Sequence, residues 1–398
     1  MKSNAPSIPY AEHRLISIDV LRGIVIALMA LDHTRDFFSN VHFNPTDLTQ
    51  TSIGLFLTRW ITHFCAPVFI FLAGTSAFLA NAQYPDQPQL CTFLFRRGVL
   101  IVFLGVTFES LIWSYTPDFS EISGAVLWAI GWSMIMLAGM IRLLPTWAIV
   151  LIGVSMIAGH NLFDHLTRDD VGIFGDIWAI LHSGETVRIT DGLVLHPFYP
   201  LIPWIGVMSV GYGFGKLMLL EQSLQEKILL LSGILLTLLF IGLRYSNEYG
   251  DPVPWTHQES AILTALSFIN CEKYPPSLLY LLMTLGPAIA LLPFLARSST
   301  SRLSHPLALF GKTPMVFYVS HLVVIVMGSL ANAFIHRQFY ENTAAQIPSI
   351  GFPYAYGYEL PIVYLIWLIV LVSLYPLCRW FYSFKRKRQN RYPVLKYV

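Results

Sequence analysis

Polar residues in this chain cluster between long apolar blocks, and the blocks set its plan. Ten segments read as apolar helices, most near the ~20 residues needed to cross hydrocarbon. They cover residues 16–38, 56–80, 93–115, 122–141, 145–159, 197–219, 228–243, 275–296, 306–330 and 358–384. Period-two alternation does not recur, which argues against a β-barrel; helices are the other way to satisfy a backbone in lipid. The expected fold is all-α: a polytopic membrane helix bundle of about ten transmembrane helices, both termini cytoplasmic. A short segment, 1–15, precedes the transmembrane domain, 16–384, and a basic tail, 385–398, follows it. Pro145, Pro197, Pro275 and Pro306 are expected in first turns, where a missing N–H costs nothing.

Composition agrees with that plan. The chain has 398 residues, 55% hydrophobic and 12% charged, against about 25% charged in an ordinary soluble domain. So few charges cannot cover a water-exposed surface of this size, whereas lipid solvates an apolar exterior. Most Lys and Arg fall on one side of the expected bundle, among them Arg96, Arg97, Arg142, Lys216, Lys227, Arg297 and the run 385–388. By the positive-inside rule this side is cytoplasmic, and a multi-pass protein of the plasma (inner) membrane is expected. The long polar connections, 160–196 and 244–274, then face outward, as if the outer side handles something bulky. No basic face suits nucleic acid. Cys65, Cys91, Cys271 and Cys378 lie far apart without a C-x-x-C, and no H-E-x-x-H or G-x-S-x-G occurs. No metal is expected from these spacings. The N-terminus does not read as a cleaved signal peptide.

The first helix bears the most chemistry. Arg22 and His33 stand eleven residues apart, three helical turns plus ~20°, so they share a face with ~16 Å between them. Asp19 and Arg22 form an i,i+3 pair. Asp32 adjoins His33. Intramembrane ionisable groups cost ~2.5–3.5 kcal/mol each at mid-helix on insertion scales, which makes them functional candidates. The plain structural reading is a polar-ended helix with a structural ion pair. His63, opening the second helix, and Glu109, late in the third, are expected to converge with Asp32 and His33 if these helices adjoin. His321 lies mid-helix; its plain reading is a neutral histidine bonded to a neighbouring helix. Trp132 and Trp204 could line an acceptor path or anchor at the interface. Gly311-Lys312-Thr313 lacks the earlier glycine of a phosphate loop, since Pro306 stands there. Gly211–Gly215 (GYGFG) has no preceding strand, and close helix packing explains it better than dinucleotide binding.

These residues also resemble a family. Arg14–Ile24 (RLISIDVLRGI), with ten residues between Arg22 and His33, resembles the R-x10-H signature of the transmembrane acyltransferases. The closer likeness is to the bacterial branch similar to the catalytic domain of heparan-alpha-glucosaminide N-acetyltransferase. Ala66–Gly74 (APVFIFLAG), Val126–Trp132 (VLWAIGW), Tyr199–Gly206 (YPLIPWIG), Tyr274–Pro287 (YPPSLLYLLMTLGP) and Phe310–His321 follow in order. The resemblance implies an integral membrane acyltransferase taking an acetyl or other acyl group from cytosolic acetyl-CoA. The acceptor would be an amine or hydroxyl on the outer side, such as a sugar. Separately, the helix face that Arg22 and His33 share is expected to put Arg22, with Asp19, at the acyl-CoA and His33, with Asp32, at the chemistry. His63, Glu109, His321, Trp132 and Trp204 would then line the acceptor site. The family's lysosomal member keeps its catalytic histidine in the loop before the second helix, which His42 and His63 flank here, and has asparagine where this chain has His33. The competing classes are a transporter or lipid exporter without chemistry, and a degenerate scaffold. Partners would be membrane lipid and a small or glycan acceptor, with oligomeric state open.

Overall fold

The computed structural model describes residues 8–80, 86–114, 119–298, 301, 304–335, 357–389, 391–392, 395 and 397. Residues 1–7, position 115 at the expected end of the third helix, and part of the expected basic tail lie outside them. The described chain is mostly helical. Among the described residues eight helical stretches are long and apolar enough to cross a membrane: Ile53–Ala80, Gln87–Trp113, Val126–Leu143, Thr146–Phe163, Gln222–Ser246, Leu278–Arg297, Pro314–Ile335 and Leu360–Arg388. Two of the ten expected segments fall short of this for visible reasons. The first, α1 (Ile8–Phe38), bears Asp19, Arg22, Asp32, Arg35 and Asp36. The sixth shrinks to 14 residues, Leu201–Phe214.

Proline and hydrogen bonding redraw the other boundaries. The expected second helix is two, α2 (Ile53–Thr62) and α3 (Cys65–Ala80). Pro67 has no N–H to offer the carbonyl four residues back, and the Tyr280 hydroxyl takes that carbonyl, His63 O, at 2.8 Å instead. The third helix starts early as α4 (Gln87–Leu104), capped by Asp86 through the Gln89 N–H. It then widens into a π-turn, Gly105–Glu109, before α5 (Ser110–Ser114). Then come α6 (Val126–Leu143) and α7 (Thr146–Gly159), with Pro145 at the N-cap of α7. A short α8 (Gly175–Trp178) lies in the following polar stretch, and α9 is Leu201–Phe214. Pro197 and Pro275 precede their helices rather than sitting in first turns.

Next are α10 (Gln222–Ser246), α11 (Ala261–Ile269) and α12 (Leu278–Arg297). The expected ninth helix breaks at Thr313-Pro314 into α13 (Ser304–Lys312) and α14 (Pro314–Ile335); α15 is Leu360–Arg388. A small sheet is an addition that the period-two test did not find. It joins β1 (Glu121–Ser123) in parallel to β3 (Leu193–His196), which pairs antiparallel with β2 (Val187–Thr190). Its strands are three or four residues long, too short for a repeating pattern.

The charged helix α1 is central, packed against α2, α3, α12, α13, α14 and α15. This resolves the cost of its charges, because its polar face looks into protein rather than lipid. Several helix pairs approach through glycine, with the closest backbone approach in α1–α13 and α3–α9. A Cβ on Gly23 would meet Leu307 O at 1.8 Å and one on Gly311 would meet Asp19 O at 1.9 Å, so α1 and α13 touch backbone to backbone. Gly74 and Gly211 do the same for α3 and α9, each with a built Cβ 2.1 Å from the other helix's carbonyl. Close packing therefore accounts for the Gly211–Gly215 stretch. The outward faces of α10 and α15 expose Leu231, Leu235, Leu238, Leu365 and Val372, as suits lipid.

Candidate functional site

A cavity of about 1200 Å³, open mouth included, runs beside α1, and both Arg22 and His33 line it. The helix period placed them on one face, and packing turns that face inward. Between them the wall is Met29 of α1 and Phe69 and Ala73 of α3. Helix α3 runs antiparallel to α1: Cys65 Sγ lies 3.2 Å from Val25 O, while Ser76, near its other end, meets Arg22.

Arg22 is held on three sides. Its guanidinium donates to Ser76 Oγ at 2.6 Å, to the Gly311 carbonyl at 3.0 Å and to Asp19 Oδ1 at 3.2 Å. The expected Asp19–Arg22 pair thus exists, and two further partners come from helices distant in sequence. Ala77 and Ala80 continue the wall at this end, and Phe93, Leu94 and Arg97 join it as the chain returns in α4.

At the other end two imidazoles are coupled. His33 Nδ1 lies 2.8 Å from His321 Nε2, and His321 Nδ1 lies 3.0 Å from the Phe317 carbonyl. A carbonyl only accepts, so His321 Nδ1 bears the hydrogen and its Nε2 holds the lone pair. With both rings neutral, His33 Nδ1–H donates to that lone pair, and His33 Nε2 becomes the acceptor. Among the described residues no hydrogen bond occupies His33 Nε2. Trp113 packs edge-on against the His33 ring, centroids 5.3 Å apart.

The remaining expected residues divide. Asp32 lines the cavity but makes no hydrogen bond to His33 among the described residues. Its carboxylate accepts from Arg59 at 2.6 Å, Arg35 at 2.9 Å and Thr62 at 2.9 Å. Two guanidiniums repay the burial of one carboxylate here, and this occupies the oxygens that could have steadied an imidazole. Glu109 is buried behind the wall. The π-turn directs it inward to accept from the Tyr318 hydroxyl and, at 3.2 Å, from the Leu127 N–H. Tyr318 itself lines the cavity, its ring 6.5 Å from His33. His63 does not line it: the ring packs edge-on to Tyr280 at 5.5 Å, with Nδ1 buried and unpartnered. Trp132 and Trp204 do not line it either. Trp132 stacks edge-on with Trp128, while Trp204 is fully buried beside Tyr199, which removes the interfacial reading for Trp204.

Sequence reasoning missed Ser76, Tyr318, Tyr199, Arg97 and Lys273. Tyr318 could have been found, since it stands one turn before His321 on the same face. Lys273 immediately precedes the Tyr274–Pro287 stretch. It is buried, lines the cavity and holds its ammonium 5.0 Å over the Tyr274 ring. The Lys273 ammonium and the Arg59 guanidinium hold the Tyr274 phenol below its usual range.

Two comparisons bear on this arrangement. A family model described as heparan-alpha-glucosaminide N-acetyltransferase, catalytic, matches residues 14–246, a span that includes Arg22, His33 and Glu109 but not His321, Tyr318 or Lys273. No curated protein matches the chain.

Proposed function

The chain belongs to the heparan-alpha-glucosaminide N-acetyltransferase catalytic family, and from that premise we propose that it transfers an acetyl or other acyl group from cytosolic acyl-CoA to an amine or hydroxyl on the far side of the membrane. The family uses acetyl-CoA as donor, and membership makes this an acetyltransferase-like membrane protein. In our reading the bundle has about ten spans, both termini face the cytoplasm of a plasma (inner) membrane, and the acceptor is a sugar.

Arg22 receives the donor. Its planar guanidinium suits a phosphate or carbonyl, and Ser76 and Gly311 O hold it in place. The pantetheine arm extends along the wall formed by Met29, Phe69 and Ala73, bringing the thioester to His33. His33 Nε2 takes a proton from the acceptor amine or hydroxyl as that atom attacks the thioester carbonyl. The tetrahedral adduct then expels CoA thiolate, and the imidazolium returns the proton to the sulfur. Asp19 steadies Arg22, while Asp32 anchors the charge cluster beside His33. Glu109 takes the one hydroxyl hydrogen of Tyr318, so Tyr318 serves as cavity wall beside His33 rather than as a donor to the adduct.

The observation that carries this reading is the directed chain from the Phe317 carbonyl through His321 to His33, which leaves a single ring nitrogen available as base in a cavity shared with Arg22. The test is transfer itself. Membranes containing the protein are incubated with acetyl-labelled acetyl-CoA, and the labelled product is identified. Label in a sugar amine or hydroxyl supports the proposal. Solute flux without label transfer favours a carrier and defeats it.

A further inference from the structure

Three ligand-type side chains meet where α7 ends, outside the cavity. His160 opens a 3-10 turn (His160–Phe163), Asp164 caps that turn, and His182 returns from a π-turn (Ala179–Ser183). One ligand atom from each lies within 4.8 Å of the other two. Both histidines are 3% exposed, and Trp178 stacks on the His182 ring at 4.4 Å.

The cluster is rich in lone pairs and poor in hydrogens. His182 Nε2 lies 2.8 Å from the His160 carbonyl, so it bears the hydrogen and Nδ1 holds the lone pair. Among the described residues that Nδ1 is buried with no partner, as is His160 Nε2. A buried polar group left unsatisfied costs about 1–3 kcal/mol. Asp164 accepts at Oδ2 from Asn161 at 2.8 Å, and its Oδ1 lies 3.7 Å from His182 Nε2. Two buried lone pairs and a carboxylate that converge in this way suit an electrophile rather than another acceptor. Ligating histidines commonly donate their other ring N–H to a backbone carbonyl, as His182 does here.

We propose that His160, Asp164 and His182 bind one divalent transition-metal ion of the zinc class. Two imidazoles and one carboxylate suit such an ion. Zinc holds N and O ligands at ~2.0–2.2 Å, and ligand atoms of the three residues already lie within 4.8 Å of one another. The ion clips the end of α7 to the polar stretch that follows it. Asn161 Oδ1 also accepts the Leu278 N–H at 2.9 Å, which extends the clip to the start of α12. Short-range spacing gave no sign of the site because His182 arrives from 22 residues away.

The test uses the full chain in detergent, stripped of metal with a chelator and titrated with Co²⁺, whose visible bands report coordination. The wild type should bind one equivalent of Co²⁺, displaced by Zn²⁺. His182→Ala and Asp164→Asn should each weaken binding at least ~10-fold, whereas His196→Ala, outside the cluster, should not. Asp164 is exposed and on a turn, so Asp164→Asn keeps the experiment decisive if His182→Ala fails to fold. Absence of saturable Co²⁺ or Zn²⁺ binding in the wild type overturns the proposal. Binding unchanged in Asp164→Asn overturns it equally.

Discussion

His321 is fully buried and touches His33 from a helix nearly three hundred residues away in sequence, so its own substitution is informative. Alanine at 321 removes the acceptor for His33 Nδ1–H and frees the ring to turn or change tautomer. General-base catalysis is worth about 10²–10⁴-fold, and losing the base's orientation forfeits part of it. His321→Ala should therefore lower kcat by about 10²-fold with little change in KM for the acyl donor. His321→Gln, whose amide oxygen can still accept, should recover part of the loss. Steady-state kinetics of the purified variants checks both, and equal loss in the two would argue that His321 only fills space. Arg22→Ala should do the opposite, raising KM for acyl-CoA by about 10-fold, the loss of one charge-assisted contact, more than it lowers kcat. These residues differed in legibility. Arg22, His33 and Asp19 follow from helical period alone. Ser76, Lys273 and the His33–His321 bond do not, because they join elements that no local pattern relates.

Helix α1 can bear Asp19, Arg22, Asp32, His33, Arg35 and Asp36 because of how closely it is wrapped, and the closeness rests on glycine. The Gly23 and Gly311 contacts bring α1 and α13 together so that Arg22 reaches the Gly311 carbonyl. Overpacking typically costs about 1–3 kcal/mol, and here a methyl would meet backbone, which cannot rotate away. Gly23→Ala should lower the thermal midpoint by several degrees and also weaken donor binding. Thermal unfolding of the detergent-solubilised protein, followed by fluorescence, checks the first effect; an unchanged midpoint would mean the helices part without cost. At this scale the sequence was legible in the existence of helices and less so at their breaks. Pro67 and Pro314 signal the breaks in hindsight, but whether proline kinks or ends a helix depends on which partner takes the freed carbonyl. For Pro67 that partner is Tyr280, over two hundred residues on. The π-turn that aims Glu109 inward has no sequence signature in the apolar run around it.

The whole molecule is asymmetric across its expected membrane axis. Basic residues crowd one side, while the sheet, the 3-10 turns His160–Phe163 and Asp169–Phe174 and the proposed metal cluster occupy connections on the other. If both termini are cytoplasmic, Asp170→Cys, in the exposed turn after α7, should react in intact cells with a membrane-impermeant maleimide. Arg388→Cys, at the end of α15, should react only after permeabilisation. The native cysteines are buried or half-buried, which keeps the background low. Reversed accessibility would invert the direction of transfer. Composition alone announced a membrane protein, and the charge bias proposed its orientation. The cavity was not legible, because its walls come from α1, α3, α4, α6 and α14 together.

The central claim is that His33 is the base in a cavity it shares with Arg22. Its most direct test is transfer by purified His33→Ala, confirmed folded by an unaltered thermal midpoint, with saturating labelled acetyl-CoA and the acceptor identified from membranes. The account predicts that kcat falls by at least ~100-fold while KM for acetyl-CoA stays within about threefold, as expected when only transition-state stabilisation is lost. Wild-type turnover in that variant would contradict it.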